Sequence, residues 1–246
     1  MLEKVTGLIV HTTNYGETSL VIQLFTKEHG LIGVMGKGVK SLKSRLHPFV
    51  MPFTYGYFYI YYKEGKLSTL KDVDVIDALL LIHQDITLIA YLNYIAELSV
   101  QVYKESESSS IFPMMMTGIL KINDGLDPAV ITNILEVKYL PFLGVGINLD
   151  ECVSCGAKTG IVTIDGDKGG LVCKNCYQNE RIVKSKTIQL LRMYFYVDLK
   201  SISKLDIKIE NTLEINQFLM TYYSRYTGMY LQSKDFLKKV GQIEKG

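Results

Sequence analysis

Residues 152–176 read CVSCGAKTGIVTIDGDKGGLVCKNC and hold all four cysteines of the chain, as two CxxC pairs with seventeen residues between them. A CxxC turn places two thiolates on one side of a tetrahedral site, and a second CxxC, brought back by a hairpin, supplies the other two. Gly156 follows the first pair, where a turn around sulfur needs an accommodating backbone. Gly166, Gly169 and Gly170 supply turns in between, so GIVTID and GLVC can pair as strands. The spacing predicts a zinc ribbon over 150–178, with Cys152, Cys155, Cys173 and Cys176 as ligands of a structural Zn2+. Two disulfides or four free thiols are the alternatives, and a reducing compartment disfavours the first. A thioredoxin-like redox pair would need a βαβ unit, which the surrounding pattern lacks. Four cysteines leave no open coordination position, so the metal is expected to fold a subdomain and not to catalyse.

That compartment follows from the N-terminus and the hydropathy. The chain opens MLEKVTGLIV, where Glu3 and Lys4 interrupt any apolar run, so no signal peptide is expected. No stretch approaches eighteen uncharged apolar residues, so no membrane span is expected and the chain reads as cytoplasmic. Apolar residues make up 48% of the 246 and charged residues 21%, which suits a packed core and argues against disorder. The net charge of +2 conceals an uneven distribution. Residues 1–80 carry nine basic against seven acidic side chains, residues 81–150 three against eight, and residues 151–246 fifteen against ten. An acidic middle between basic ends fits separate modules with different partners, or ordinary surface variation.

Upstream of the cysteines the pattern changes twice. VTGLIV (5–10), SLVIQLFT (19–26), GLIGVMG (30–36), TYGYFYIYY (54–62) and LSTLKDVDVID (67–77) are strand-like runs, punctuated by turns at Asn14-Tyr15-Gly16, His29-Gly30 and Glu64-Gly65-Lys66. Five short strands in about eighty residues fit a small closed barrel such as an OB-fold. From 78 to 145 the period becomes helical: Leu88, Leu92, Ile95, Ala96, Ser99 and Val102 share one face. A second helix is expected over Ile111 to Asn123, after the polar KESESSS (104–110) and closed by Gly125. A third starts at Asp127-Pro128 and ends near Pro141. Beyond the cysteines, helices are expected over 186–197 and 212–231, the latter with Asn211 and Glu214 as a capping box. The fold class is therefore α+β and multidomain: an N-terminal OB-fold β-barrel, then an α-helical domain carrying an inserted four-cysteine zinc ribbon.

Two features of the barrel region carry chemistry. Residues 36–49, GKGVKSLKSRLHPF, place Lys37, Lys40, Lys43 and Arg45 within nine residues with no acid among them. A phosphate backbone would be attracted there without sequence preference, and a solvated loop without a partner is the alternative. The GxxxxGK[ST] pattern of a phosphate-cradling loop is absent. In the following strand, Tyr57, Tyr59 and Tyr61 point to one face, Phe58, Ile60 and Tyr62 to the other. One face must fill the barrel; the second is either covered or offers rings to unpaired bases. The histidines at 11, 29, 47 and 83 are scattered, and no GxSxG, HExxH or dinucleotide-binding glycine motif occurs. Met114 to Met116 read as helix core.

The order barrel, helices, ribbon, helices accompanies VTGLIVHTTNYGETSLVIQLFTKEHG (5–30) and GVMGKGVKSLKSRLHPF (33–49). Together they resemble the RecO family of bacterial recombination mediators. The likeness rests on Tyr15-Gly16-Glu17, Gly30, the basic loop running to Leu46-His47-Pro48-Phe49, and CVSCG with GGLVCKNC, and it spans nearly the whole chain. It implies an OB-fold domain over 1–80 and a helical domain over 81–246 with the ribbon at 150–178. It implies a protein that is not an enzyme, binds single- and double-stranded DNA, and anneals complementary strands. Its implied partners are RecR, the single-stranded-DNA-binding protein and, indirectly, RecA, and its implied place is the cytoplasm, at the nucleoid. On this likeness Lys37, Lys40, Lys43 and Arg45 are the leading DNA contacts, and Cys152, Cys155, Cys173 and Cys176 hold zinc. A zinc-ribbon interaction module whose barrel holds a protein is the other reading.

Overall fold

In the computed structural model, residues 1–243 are described, with side chains to residue 240. The chain divides into two compact units: Met1–Gln84 with Ala96–Met116, and Asp85–Ile95 with the chain from Thr117 onward. No described helix is long and apolar enough to cross a membrane.

The first unit is built on five strands: β1 (Leu2–Tyr15), β2 (Ser19–Thr26), β3 (Gly30–Gly36), β4 (Tyr55–Tyr61) and β5 (Ser68–Asp77). Their pairings run in a ring, β1-β2-β3-β5-β4, and close a barrel. Four of the five ladders are antiparallel; the fifth, between β3 and β5, is a parallel seam of two residue pairs, Val34↔Ser68 and Met35↔Thr69. β1 is longer than its apolar run suggests, because it pairs with β4 from Leu2 and with β2 as far as Tyr15, bending at a bulge near Ile9 and His11. The core follows the period of two. Val5, Ile9, Ile22, Leu24, Val34, Phe58, Ile60, Leu70 and Val73 fill the barrel, with Val39 and Val50 added from the loop between β3 and β4.

The same unit contains α1 (Leu80–His83), the last eleven residues of α2 (Ile86–Ser106) and the start of α3 (Ile111–Asn123). Tyr103 and Phe112 from these helices pack on Phe25, whose ring on β2 faces out of the barrel, at centroid distances of 5.1 and 5.4 Å. Such tilted and edge-on pairs contribute about 0.5–1.5 kcal/mol beyond their buried area. Gly30, at φ +64°, makes room for them: a Cβ there would stand 1.8 Å from Tyr103 Oη.

The second unit centres on α4 (Pro128–Tyr139), whose residues from Val130 to Val137 are all buried. Asp127 caps it as expected, accepting the amides of Ala129 and Val130 at 2.9 and 3.0 Å, with Pro128 at the first turn. The helix stops at Tyr139 and tightens into a 3-10 turn over Leu140–Leu143. Next comes a three-stranded sheet of β6 (Asn148–Cys152), β7 (Ile161–Asp165) and β8 (Gly170–Cys173), in the order β6-β8-β7. After it come α5 (Ser185–Tyr196), α6 (Ile209–Tyr226) and α7 (Gln232–Ile243), and α5 and α6 pack on α4.

The start of α6 differs from the capping-box expectation. Lys208 stands at the N-cap without a side-chain bond. Asn211 and Glu214 turn inward instead, accepting the Thr187 hydroxyl of α5 at 3.3 and 2.5 Å. A buried threonine on a neighbouring helix outcompetes the local amides for those acceptors. The sequence pattern also lacks α7, whose polar composition hides one buried contact. Lys234 reaches Glu136 Oε1 at 2.8 Å, and Tyr94 Oη donates to the same oxygen at 2.5 Å. Glu136 is 1% exposed, and its Oε2 has no hydrogen bond among the described residues. A charge so buried depends on its partner.

Two outcomes follow, both read as urea midpoints at neutral pH. Gly30→Ala should destabilise the barrel unit by roughly 2–4 kcal/mol, from left-handed backbone strain plus the clash with Tyr103. Lys234→Met should cost about 3–5 kcal/mol by stranding Glu136, and Glu136→Gln in the same chain should recover part of it.

Candidate functional site

The two CxxC pairs occupy the ends of β6 and β8 and the turns that leave them. Gly156 N donates to Cys152 O at 2.8 Å, with Gly156 at φ +73°, and Tyr177 N donates to Cys173 O at 2.9 Å, so both pairs are closed by a bond from the fourth residue on. The antiparallel β7–β8 pairing and the parallel β6–β8 pairing bring the turns together. All four Sγ atoms lie within 4.8 Å of one another, and Cys155 Sγ and Cys173 Sγ are 3.6 Å apart. A tetrahedron with metal–sulfur bonds of about 2.3 Å has sulfur–sulfur edges of about 3.8 Å, whereas a disulfide needs about 2.05 Å. The four cysteines are free thiols, and the donor set fits a metal ion.

The environment of the sulfurs points the same way. Burial favours the neutral thiol of Cys152, but the amides of Cys173, Ser154 and Cys155 directed at it outweigh burial and lower its pKa to about 6. Cys176 is pushed up to about 12, because its thiol is hydrogen-bonded first to Cys155 and then to Cys173, with burial adding to the effect. Four sulfurs this close cannot all ionise by themselves; a bound dication reverses that balance.

Backbone and side chains hold the cluster's frame. Glu180 accepts the amides of Gln178 and Asn179 and the ammonium of Lys168, which together lower its pKa to about 2, the lysine contributing most. Thr163 Oγ1 donates to Arg181 O at 2.6 Å, and Tyr226 Oη of α6 donates to Asp167 O at 2.7 Å. Of the ribbon lysines, Lys168 is thus paired, while Lys158 and Lys174 are exposed.

The basic loop lies between β3 and β4 and is ordered by its own turns. Lys40 N donates to Thr18 O at 2.9 Å, Ser44 N to Ser41 O at 2.8 Å, and Phe49 N to Leu46 O at 3.0 Å. His47 Nδ1 lies 3.1 Å from Val39 O. Val39 and Val50 sink into the barrel at either end, so the segment between them is carried on the surface like a handle. Lys37 and Lys43 are exposed, Lys40 is half-buried, and none makes an ion pair among the described residues. Arg45 is different: its Nη2 lies 2.8 Å from Asp72 Oδ2 on β5. Asp72 has a lowered pKa, first from the Val73 amide and then from Arg45. Charge counting along the sequence does not reveal this pair, since its partners are 27 residues apart.

The tyrosine strand resolves cleanly. Phe58 and Ile60 enter the barrel, and Tyr57, Tyr59 and Tyr61 point out of it. Of the histidines, His29 stacks on Tyr62 at 3.9 Å and bonds Glu3 at 2.8 Å. Neither it nor His47 stands beside a nucleophile.

Comparison with known proteins adds an independent finding. Family models described as Recombination protein O N terminal and Recombination protein O C terminal match residues 1–79 and 83–235. A DNA repair protein RecO of Bacillus pumilus is 36% identical over 249 residues, covering 100% of this chain and 97% of its own length. Those of Bacillus subtilis and Listeria monocytogenes are 36% and 34% identical, covering 99% of this chain and 97% and 96% of their own lengths.

Whatever its relatives do, the sulfur cluster predicts its own behaviour. Titration of the reduced chain with Co2+ should give equimolar binding with the visible bands of a tetrahedral thiolate site. Cys173→Ser should weaken that binding and loosen the ribbon, read as faster proteolysis between 150 and 180.

Proposed function

Because the chain belongs to the RecO family of DNA repair proteins, we propose that it is a recombination mediator acting without a catalytic group. In this reading it binds single- and double-stranded DNA, anneals complementary strands, and works with RecR and the single-stranded-DNA-binding protein to load RecA. The observation that carries the DNA reading is the handle between Val39 and Val50. With Lys37 just before it, it presents Lys40 and Lys43 without ion-pair partners among the described residues, a few residues from Arg45.

Annealing asks for little chemistry. Two strands repel through their phosphates, and basic side chains that neutralise phosphate while leaving base edges free remove that obstacle. Lysines make point-charge contacts, so binding is sequence-neutral and salt-sensitive. Arg45 must share itself between Asp72 and phosphate, which makes it the contact with most to gain from loosening its pair. The metal in this reading is zinc, held by Cys152, Cys155, Cys173 and Cys176. When bound, it supplies folding energy to a ribbon too small to hold itself by burial, and with four sulfurs around it no position is open to substrate. On the same reading its proposed location is the cytoplasm, at the nucleoid.

The test is fluorescence anisotropy of labelled DNA with wild type and with Lys37, Lys40, Lys43 and Arg45 changed to Glu. On duplex DNA the three lysines alone give a slope of log K against log salt of about −3, and Arg45 adds about one more when it leaves Asp72. Charge reversal should abolish binding to both DNA forms. Binding that survives it would move the site off the loop, and a wild type that binds neither form would turn the barrel into a protein-binding module.

A further inference from the structure

An OB-fold barrel ordinarily offers oligonucleotides the outer face of its second and third strands. Here that face carries Val21, Gln23 and Phe25 on β2, paired with Met35, Gly33 and Leu31 on β3. It has one aromatic ring, and that ring is covered: Phe25 is 0% exposed, under Tyr103 and Phe112. Gly33 lies beneath Leu67. A base looking for a ring to stack on finds none there.

The rings lie instead on the outer face of β4. Tyr57 is 38% exposed and Tyr61 46%, a large aromatic area left to solvent on one strand. Their neighbours are arranged around them by register. Across β1, Leu2 faces Tyr61, Lys4 faces Tyr59 and Thr6 faces Tyr57. Lys4 places its ammonium 3.6 Å from the Tyr57 ring centroid and 5.9 Å from that of Tyr59. On β5, Asp72 faces Tyr59 and Asp74 faces Tyr57. Both carboxylates are already engaged, Asp72 by Arg45 and Asp74 by the Tyr59 hydroxyl at 3.0 Å. The Arg45 bond also pins the basic loop beside the ring row.

We propose that Tyr57 and Tyr61 form a stacking platform for the unpaired bases of a single strand, with Lys4 moving off the Tyr57 ring to join the Arg45 end of the loop in attending its phosphates. The proposal rests on the DNA-binding reading above and deepens it by separating two roles. The loop attracts any phosphate backbone. The rings accept only a base whose face is free, and in a duplex the faces are stacked on one another. Tyr57 and Tyr61 are two outward positions apart, about 13.6 Å along the strand and roughly four times the rise of a stacked DNA strand, so bases seated on them are held apart from each other. A strand held so keeps its pairing edges unshielded by neighbouring stacks.

The test uses the full chain in its metal-loaded form. Dissociation constants are measured by anisotropy for a labelled single strand and for a duplex of the same length, with wild type, Tyr57→Ala/Tyr61→Ala, Tyr57→Phe/Tyr61→Phe and the charge-reversed loop. The alanine pair is expected to weaken single-strand binding about 30-fold or more, to leave duplex binding within about twofold, and to leave the salt slope unchanged, because stacking releases no counterions. The phenylalanine pair should bind as wild type. Unchanged single-strand binding by the alanine pair overturns the platform, and so does an equal loss on both DNA forms. If the loop variant loses both DNAs while the alanine pair loses neither, the loop reading stands and the platform falls; if the alanine pair loses the single strand alone while the loop variant loses neither form, the platform stands and the loop reading falls. Should the alanine pair prove unfolded, photocrosslinking of wild type to bromouracil-substituted single strand decides. Adducts in residues 54–62 support the platform, and adducts confined to other segments overturn it.

Discussion

Closure of five strands into a ring is the constraint on which the functional reading of the first unit depends. Once β1 is paired with both β2 and β4, every residue of β4 must face either the packed interior or the outside. Phe58 and Ile60 fill the interior, so Tyr57, Tyr59 and Tyr61 have nowhere to go but out. A slip of one residue would bury three hydroxyls without partners and expose two core side chains, which the desolvation cost of polar groups forbids. The seam that completes the ring is short, two parallel pairs between β3 and β5, and the handle that follows β3 adds Val39 and Val50 to the core that the ring encloses. The basic loop is thus anchored in the barrel core at its ends and carried on the surface in its middle.

The second consequence of closure concerns Phe25. It points outward from β2, and an outward ring in this unit must be covered or left to solvent. Tyr103 and Phe112 cover it, with Gly30 yielding the space. The two aromatic sets on the barrel therefore have different fates: one is taken up in packing helices against the strands, the other stays partly exposed, with Lys4 over the Tyr57 ring. That division is what the proposed separation of loop and ring contacts requires.

In the second unit, burial and the cysteine cluster belong to different parts. α4 is enclosed on every side and carries a charged pair, Glu136 with Lys234, into that enclosure. The ribbon has three short strands and little interior of its own, and its two CxxC turns close around a common point. The Lys168–Glu180 pair, the Thr163 hydroxyl and the Tyr226 hydroxyl tie its loops to the rest of the unit. Such side-chain ties direct the ribbon, while thiolate coordination is the stronger candidate for holding it folded.

Much of this was legible in the sequence because it is local. Strand alternation, the Asp127-Pro128 helix start, the span of Ile111 to Asn123 and the CxxC spacing are each set by residues a few positions apart, whose propensities act before any tertiary contact forms. The family likeness was legible for the same reason, being carried by short segments in a particular order. What the sequence left undecided depends on partners far along the chain. Whether the tyrosine face was covered could not be read from β4, because exposure belongs to whatever packs opposite. Arg45 looked like three free lysines' companion until Asp72 arrived from 27 residues away. Asn211 and Glu214 read as a cap until Thr187 offered a buried hydroxyl. α7 was missed because its polar residues do not show which one is drawn inward to Glu136. The sequence determined which elements form and which chemistry they carry; the tertiary structure decided which charges and rings are engaged with one another and which are left to meet a ligand, since pairing free energy depends on distance in space and not along the chain.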